Sequence, residues 1–166
     1  MIFGLSVGAF TILHVIISLV AILSGLIVFA GLLASERQTN WTTLFLVTTV
    51  LTTATGFMFP FAGPTPAFIT GIVSTVTLVF ALLALYVFRL DRAWRWIYVV
   101  TALFALYLNC FVLVVQSFQK VAFLHSLAPT QAELPFVLAH GLLLAAFLLF
   151  GFLAVRRFHP MVAVRA

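Results

Sequence analysis

The chain has 166 residues, of which 65% are hydrophobic and only 7% charged, and its mean hydropathy is +1.32. That is more apolar surface than a soluble domain of this length can bury, so soluble classes are excluded and the chain reads as an integral membrane protein. The net charge of +5 does not point to nucleic acid, because the basic residues sit in short loops between apolar runs and act there as topology determinants.

A helix rises about 1.5 Å per residue, so roughly 20 apolar residues cross a hydrocarbon core of about 30 Å. The pattern predicts an all-α, single-domain bundle of five transmembrane helices. The first runs from Leu5 to Leu33. No basic residue precedes Arg37 and the apolar run outlasts a signal-peptide core, so a retained first helix is expected. After SERQTN comes Thr43 to Phe59, the shortest segment, stopped by Pro60. The FAGPTP loop leads to Ala67 to Phe88, and RLDRAWR leads to Trp96 to Phe118. The longer QKVAFLHSLAPTQAEL loop precedes Pro135 to Val155. Arg37, Arg89, Arg92, Arg95, Arg156, Arg157 and Arg165 then fall on one side of the membrane and only Lys120 on the other. The positive-inside rule puts the N-terminus outside and the C-terminus in the cytoplasm. An odd number of helices excludes a transporter built from two halves of one chain.

In lipid, helices associate through small residues and interhelical hydrogen bonds, so small and polar positions at helical spacing mark the inward face. Tyr98, Ala102, Ala105, Asn109, Leu113, Gln116 and Lys120 form such a stripe, which accounts for the polar residues inside LYLNCFVLVVQSFQK. Matching stripes carry Thr11, His14, Ser18, Ala21 and Gly25, then Thr49, Thr53, Gly56 and Pro60. Ala67, Gly71, Ser74 and Ala81 form another, as do Glu133, His140, Phe147, Gly151 and Ala154. His14, Asn109, Gln116, Lys120 and His140 all fall in the outer half of the bundle. They predict an outward-facing polar vestibule, capped by the loop holding His125, Pro129, Thr130, Gln131 and Glu133.

Several chemistries fit parts of this set. His14 and His140 at similar depth would suit the two axial ligands of a b-type haem. A metal would need His14, His125 and His140 with Met58 or Glu133, although no HxxxH, HxH or MxxM spacing occurs. A quinone or other amphipathic ligand needs only an apolar slot and donors such as Gln116, Lys120 and His140. The structural alternative has Asn109 and Gln116 tying helices together, with Lys120 snorkelling to headgroups or pairing with Glu133. No span holds a carboxylate for an ion relay, Ser117 and Ser126 lack a GxSxG turn, and Cys110 is the only cysteine.

The stretches WTTLFLVTTVLTTATGFMFPF, IYVVTALFALYLNCFVLVVQSFQK and LAPTQAELPF resemble the signature of a family of small uncharacterised bacterial inner-membrane proteins. The likeness covers nearly the whole chain. It implies that Thr53, Gly56, Pro60, Asn109, Gln116, Lys120, Pro129, Thr130, Gln131 and Glu133 match the family's pattern, and that the His140 position more often holds glutamine there. The resemblance thus favours a hydrogen-bonding role for His140 over haem ligation, and supplies no activity. The leading expectation is a non-enzymatic inner-membrane protein with a ligand pocket formed by His14, Asn109, Gln116, Lys120 and His140. A haem- or quinone-binding redox subunit and a structural subunit of a larger membrane complex are the alternatives. The expected partners are the bilayer and a second copy or a larger membrane complex, not nucleic acid.

Overall fold

The computed structural model describes residues 2, 4–60 and 66–159; the FAGPTP connection up to Thr65 and the basic residue Arg165 lie outside them. The described chain is all-helical. The first helix, α1 (Val7–Leu33), starts where Ser6 accepts a hydrogen bond from the Ala9 amide at 3.2 Å, which satisfies one of the unpaired N–H groups of the first turn. α2 spans Thr39–Phe57 and stops short of Pro60. α3 (Pro66–Leu82) begins on proline, whose missing N–H is no loss in a first turn, and continues through a single π turn, Leu83–Val87. α4 (Ala93–Lys120), a short α5 (Ala122–Leu127) and α6 (Leu134–Arg157) complete the chain.

Four helices are long and apolar enough to cross a membrane: Val7–Leu33, Ala67–Val87, Ala93–Lys120 and Leu134–Arg157. They make the chain a multi-pass membrane protein in its architecture. α2 is long enough but is diluted by threonine, and so falls outside this set. Helices also overrun the predicted apolar limits. α2 begins at Thr39 rather than Thr43, and α4 extends from Ala93 to Lys120 rather than from Trp96 to Phe118. Backbone groups near an interface still need partners, and helical hydrogen bonds supply them past the end of the apolar run. For the same reason part of the stretch expected as loop is wound into α5.

α1, α2, α3 and α4 contact one another in a ring, and α6 packs across the seam between α1 and α4. Three helices approach closely at Gly25, where a Cβ would stand 2.6 Å from Leu106 Cδ1 and 2.9 Å from the Phe45 ring. Leu106 and Phe45 are both buried. Only glycine lets α1, α2 and α4 close this far, the small-residue logic of helix association in lipid. Around it sit Ala81, Tyr98, Ala102, Ala105 and Ala154, all buried, while Ile12, Leu23 and Leu142 point outward. At the Arg-rich end, the Phe88 and Trp94 rings stack at 3.7 Å across the tight turn between α3 and α4, where Arg89, Leu90 and Arg92 take positive φ. There the Arg95 guanidinium donates to the Phe158 carbonyl, and the His159 amide donates to Ser35 Oγ at 2.9 Å.

Candidate functional site

Opposite the Arg-rich end, the first turns of α1 and α3 and the last turns of α2 and α4 diverge around a cavity of about 580 Å³. Ligand pockets span roughly 300–1,000 Å³, so its volume suits a small organic molecule. Its walls are largely apolar, with Val15, Leu19, Phe57, Phe59, Leu108 and Val112 among them. Gly71 keeps this wall open to an aromatic ring, since a Cβ there would meet Phe57 at 3.0 Å.

Four of the five expected site residues, His14, Asn109, Gln116 and Lys120, line this cavity. From Lys120 to Asn109 is eleven residues, about 16 Å along the helix, so the polar groups are graded with depth. At the base they are spent on one another. Asn109 Nδ2 donates to Thr49 Oγ1 at 3.3 Å, and Thr53 Oγ1 and Ser74 Oγ share a hydrogen bond at 3.0 Å. Asn109 is thereby a tie between α4 and α2, with an interhelical bond in lipid worth about 0.6 kcal/mol. Ser18 Oγ turns back to its own helix, donating to the His14 carbonyl at 2.7 Å.

Above this floor the groups keep free capacity. Gln116 and Lys120 make no side-chain hydrogen bond to a described residue. His14 uses one nitrogen only: Nδ1 lies 2.7 Å from Thr55 Oγ1. Proton accounting assigns its tautomer. Thr55 Oγ1 also lies 2.7 Å from the Leu51 carbonyl and 3.1 Å from the Thr52 carbonyl, oxygens that can only accept. A hydroxyl has one proton, so Thr55 donates it to that pair and accepts from Nδ1–H. The neutral imidazole therefore has a bare acceptor at Nε2. Phe59 packs edge-on to the ring at 5.3 Å. Thr52, another lining residue, has a buried hydroxyl with no partner among the described residues.

His140, the fifth expected residue, does not line the cavity. Its ring lies between Phe111 at 4.7 Å and Phe136 at 4.3 Å, Nδ1 donates to the Phe136 carbonyl at 3.1 Å, and Nε2 is buried without a partner. A haem bridged by His14 and His140 across one pocket is not accommodated by this arrangement. No group of three or more His, Cys, Asp or Glu placed to hold a metal occurs among the described residues, so His14, His125, His140 and Glu133 are not gathered.

The expected cap is also differently placed. The cavity lining ends at Val121. The following loop is clipped to α4 instead: Gln131 Nε2 donates to the Val115 carbonyl at 3.1 Å and its Oε1 accepts from Gln119 at 3.3 Å. Glu133 does not reach for Lys120. Its carboxylate accepts from the Thr130 amide and hydroxyl at 3.1 and 2.8 Å and from the Ala132 amide at 3.1 Å, closing its own loop.

Thr52, Thr55, Phe57 and Phe59 were not singled out in the sequence as site residues. Thr55 could have been found as an α2 hydroxyl level with His14 on the neighbouring antiparallel helix. Comparisons of the chain with protein-family models, with curated proteins and with solved structures return no match.

Proposed function

We propose that this chain is a five-span protein of the bacterial inner membrane whose outward-facing cavity binds a small amphipathic molecule without transforming it. α2 counts as the fifth span because it stands between α1 and α3 in the ring. Its threonines cover their own polarity: Thr43, Thr48, Thr53 and Thr55 each donate to the carbonyl four residues earlier. The basic residues Arg37, Arg89, Arg92, Arg95, Arg156 and Arg157 gather at the end away from the cavity, and the positive-inside rule makes that end cytoplasmic.

The observation that carries the reading is the cavity's division into a self-bonded floor and an upper rim of unspent groups, His14 Nε2, Gln116 and Lys120. A bundle that needed polar residues only as ties would have spent these too. A purely structural subunit would fill its inner stripes with neighbouring helices, and a space of about 580 Å³ weighs against that. The outer face of α6, with Leu142, Leu148 and Leu149 exposed, is left to lipid or a neighbouring copy.

The test is the doubly substituted Gln116→Leu, Lys120→Leu protein, purified beside the wild type in lipid nanodiscs. Native mass spectrometry of the wild type should show a retained small molecule that the variant loses at unchanged thermal stability. Equal retention by both proteins would overturn the site.

A further inference from the structure

We infer that the head taken up by this cavity is an acid with a hydroxyl beside it, its anionic oxygen on Lys120 and its hydroxyl donating to His14 Nε2; this rests on the amphiphile-binding reading above. The first observation is one of charge. The chain has three acidic residues in all, Glu36, Asp91 and Glu133. Glu36 and Asp91 lie at the Arg-rich end, beyond α1 and before α4. Glu133 is at the cavity end, but its carboxylate is taken up by Thr130 and Ala132. No carboxylate lines the cavity, although Lys120 does. A cation with no counter-charge from the chain, at the mouth of a low-dielectric space, selects an anion.

The second observation is the acceptor at His14 Nε2. A bare carboxylate offers only lone pairs and would set them against it. A head that also carries a hydroxyl gives Nε2 its donor while the acid group keeps Lys120. Heads of this kind are glycerol phosphate monoesters and diesters and hydroxy-carboxylates, and the apolar walls at Val15, Leu19 and Val112 take the attached chain. The same chemistry is available from a lipid of the surrounding leaflet and from a free single-chain acid.

The test uses the full chain in phosphatidylcholine nanodiscs and three labelled probes sharing one oleoyl chain: oleoylglycerol phosphate, with acid and hydroxyl; oleate, with acid alone; and oleoylglycerol, with hydroxyls alone. Oleoylglycerol phosphate should bind tightest. Lys120→Gln should weaken both acids about tenfold, the size of one charge-assisted hydrogen bond near a surface, and spare oleoylglycerol. His14→Phe should weaken the two hydroxyl-bearing probes about fivefold, the size of a neutral hydrogen bond, and spare oleate. Thr55→Val keeps the ring but frees its tautomer: imidazole ¹⁵N shifts should turn from a single Nδ1–H form to a mixture, with a smaller loss of the same two probes. Phosphatidylglycerol added to the nanodisc should displace the probe if the natural ligand is a leaflet lipid; failure to displace it supports a free single-chain acid. Oleoylglycerol binding as tightly as the acids, untouched by Lys120→Gln, would overturn the inference and leave the cavity reading standing. No binding of any probe above empty nanodiscs would overturn both.

Discussion

Gly25→Ala puts one methyl group into the close contact where α1 meets α2 and α4. The new Cβ would stand 2.6 Å from Leu106 Cδ1 and 2.9 Å from two atoms of the Phe45 ring. Ordinary contact begins at 3.4 Å, so Leu106 must retreat by about 0.8 Å and Phe45 by about 0.5 Å. Each has only 1% of its surface exposed and so no free space to enter. Forcing such a pair off its rotamers costs about 1–3 kcal/mol, and at about 2–4 °C per kcal/mol for a chain of this size a 2 kcal/mol loss lowers Tm by about 4–8 °C. Thermal unfolding in nanodiscs, followed by circular dichroism, measures it. A second substitution isolates the cause. Leu106→Ala alone costs about 2–5 kcal/mol by leaving a cavity, but it also clears the nearer obstacle, so the double variant should lose less than the sum of the singles. An unchanged or higher Tm in Gly25→Ala, or strict additivity with Leu106→Ala, would refute the claim that this glycine sets the spacing of α1, α2 and α4.

Two further expectations follow from polar groups away from the cavity. Because His140 Nε2 is buried without a partner and an unsatisfied group costs about 1–3 kcal/mol, His140→Phe should raise Tm slightly and leave probe binding untouched; lost binding would return His140 to the site. Desolvation pushes the Glu133 carboxyl upward, but hydrogen bonds from the Thr130 hydroxyl and from the backbone of its own loop together outweigh it, so the carboxyl titrates below the usual range. The loop's stabilisation is therefore complete above the ordinary carboxylate pKa and lost only as pH falls through the lowered value. In an NMR titration the Thr130 and Ala132 amide shifts should hold steady through the ordinary range and move below it; movement within it would contradict the geometry.

Much of the fold was legible because lipid imposes a simple rule on helical faces. Thr49, Ala81, Tyr98, Ala105 and Ala154 were placed inward from spacing alone, and all are buried. Periodicity identifies a face, but not the space that face overlooks. His140 does sit on an inward side of α6, yet α6 docks against the seam of α1 and α4 rather than joining the ring, so its ring meets Phe111 instead of the cavity. Asn109 was likewise on the right stripe, and its commitment to Thr49 depends on a helix sixty residues away. The cap failed for a related reason: nothing in LAPTQAEL says that Gln131 will find the Val115 carbonyl and fold the loop along α4.

The mutually bonded base of the cavity has a consequence for traffic. Below Asn109, Thr49, Thr53 and Ser74 come Gly25, Phe45 and Leu106 in direct contact, so the floor of the cavity is closed toward the Arg-rich end. A guest bound as proposed would find no path through that floor. Passage toward the Arg-rich end would mean parting α1 from α2 and α4 where Gly25 brings them together, so the proposed binding role is one of holding and handing over rather than of conduction.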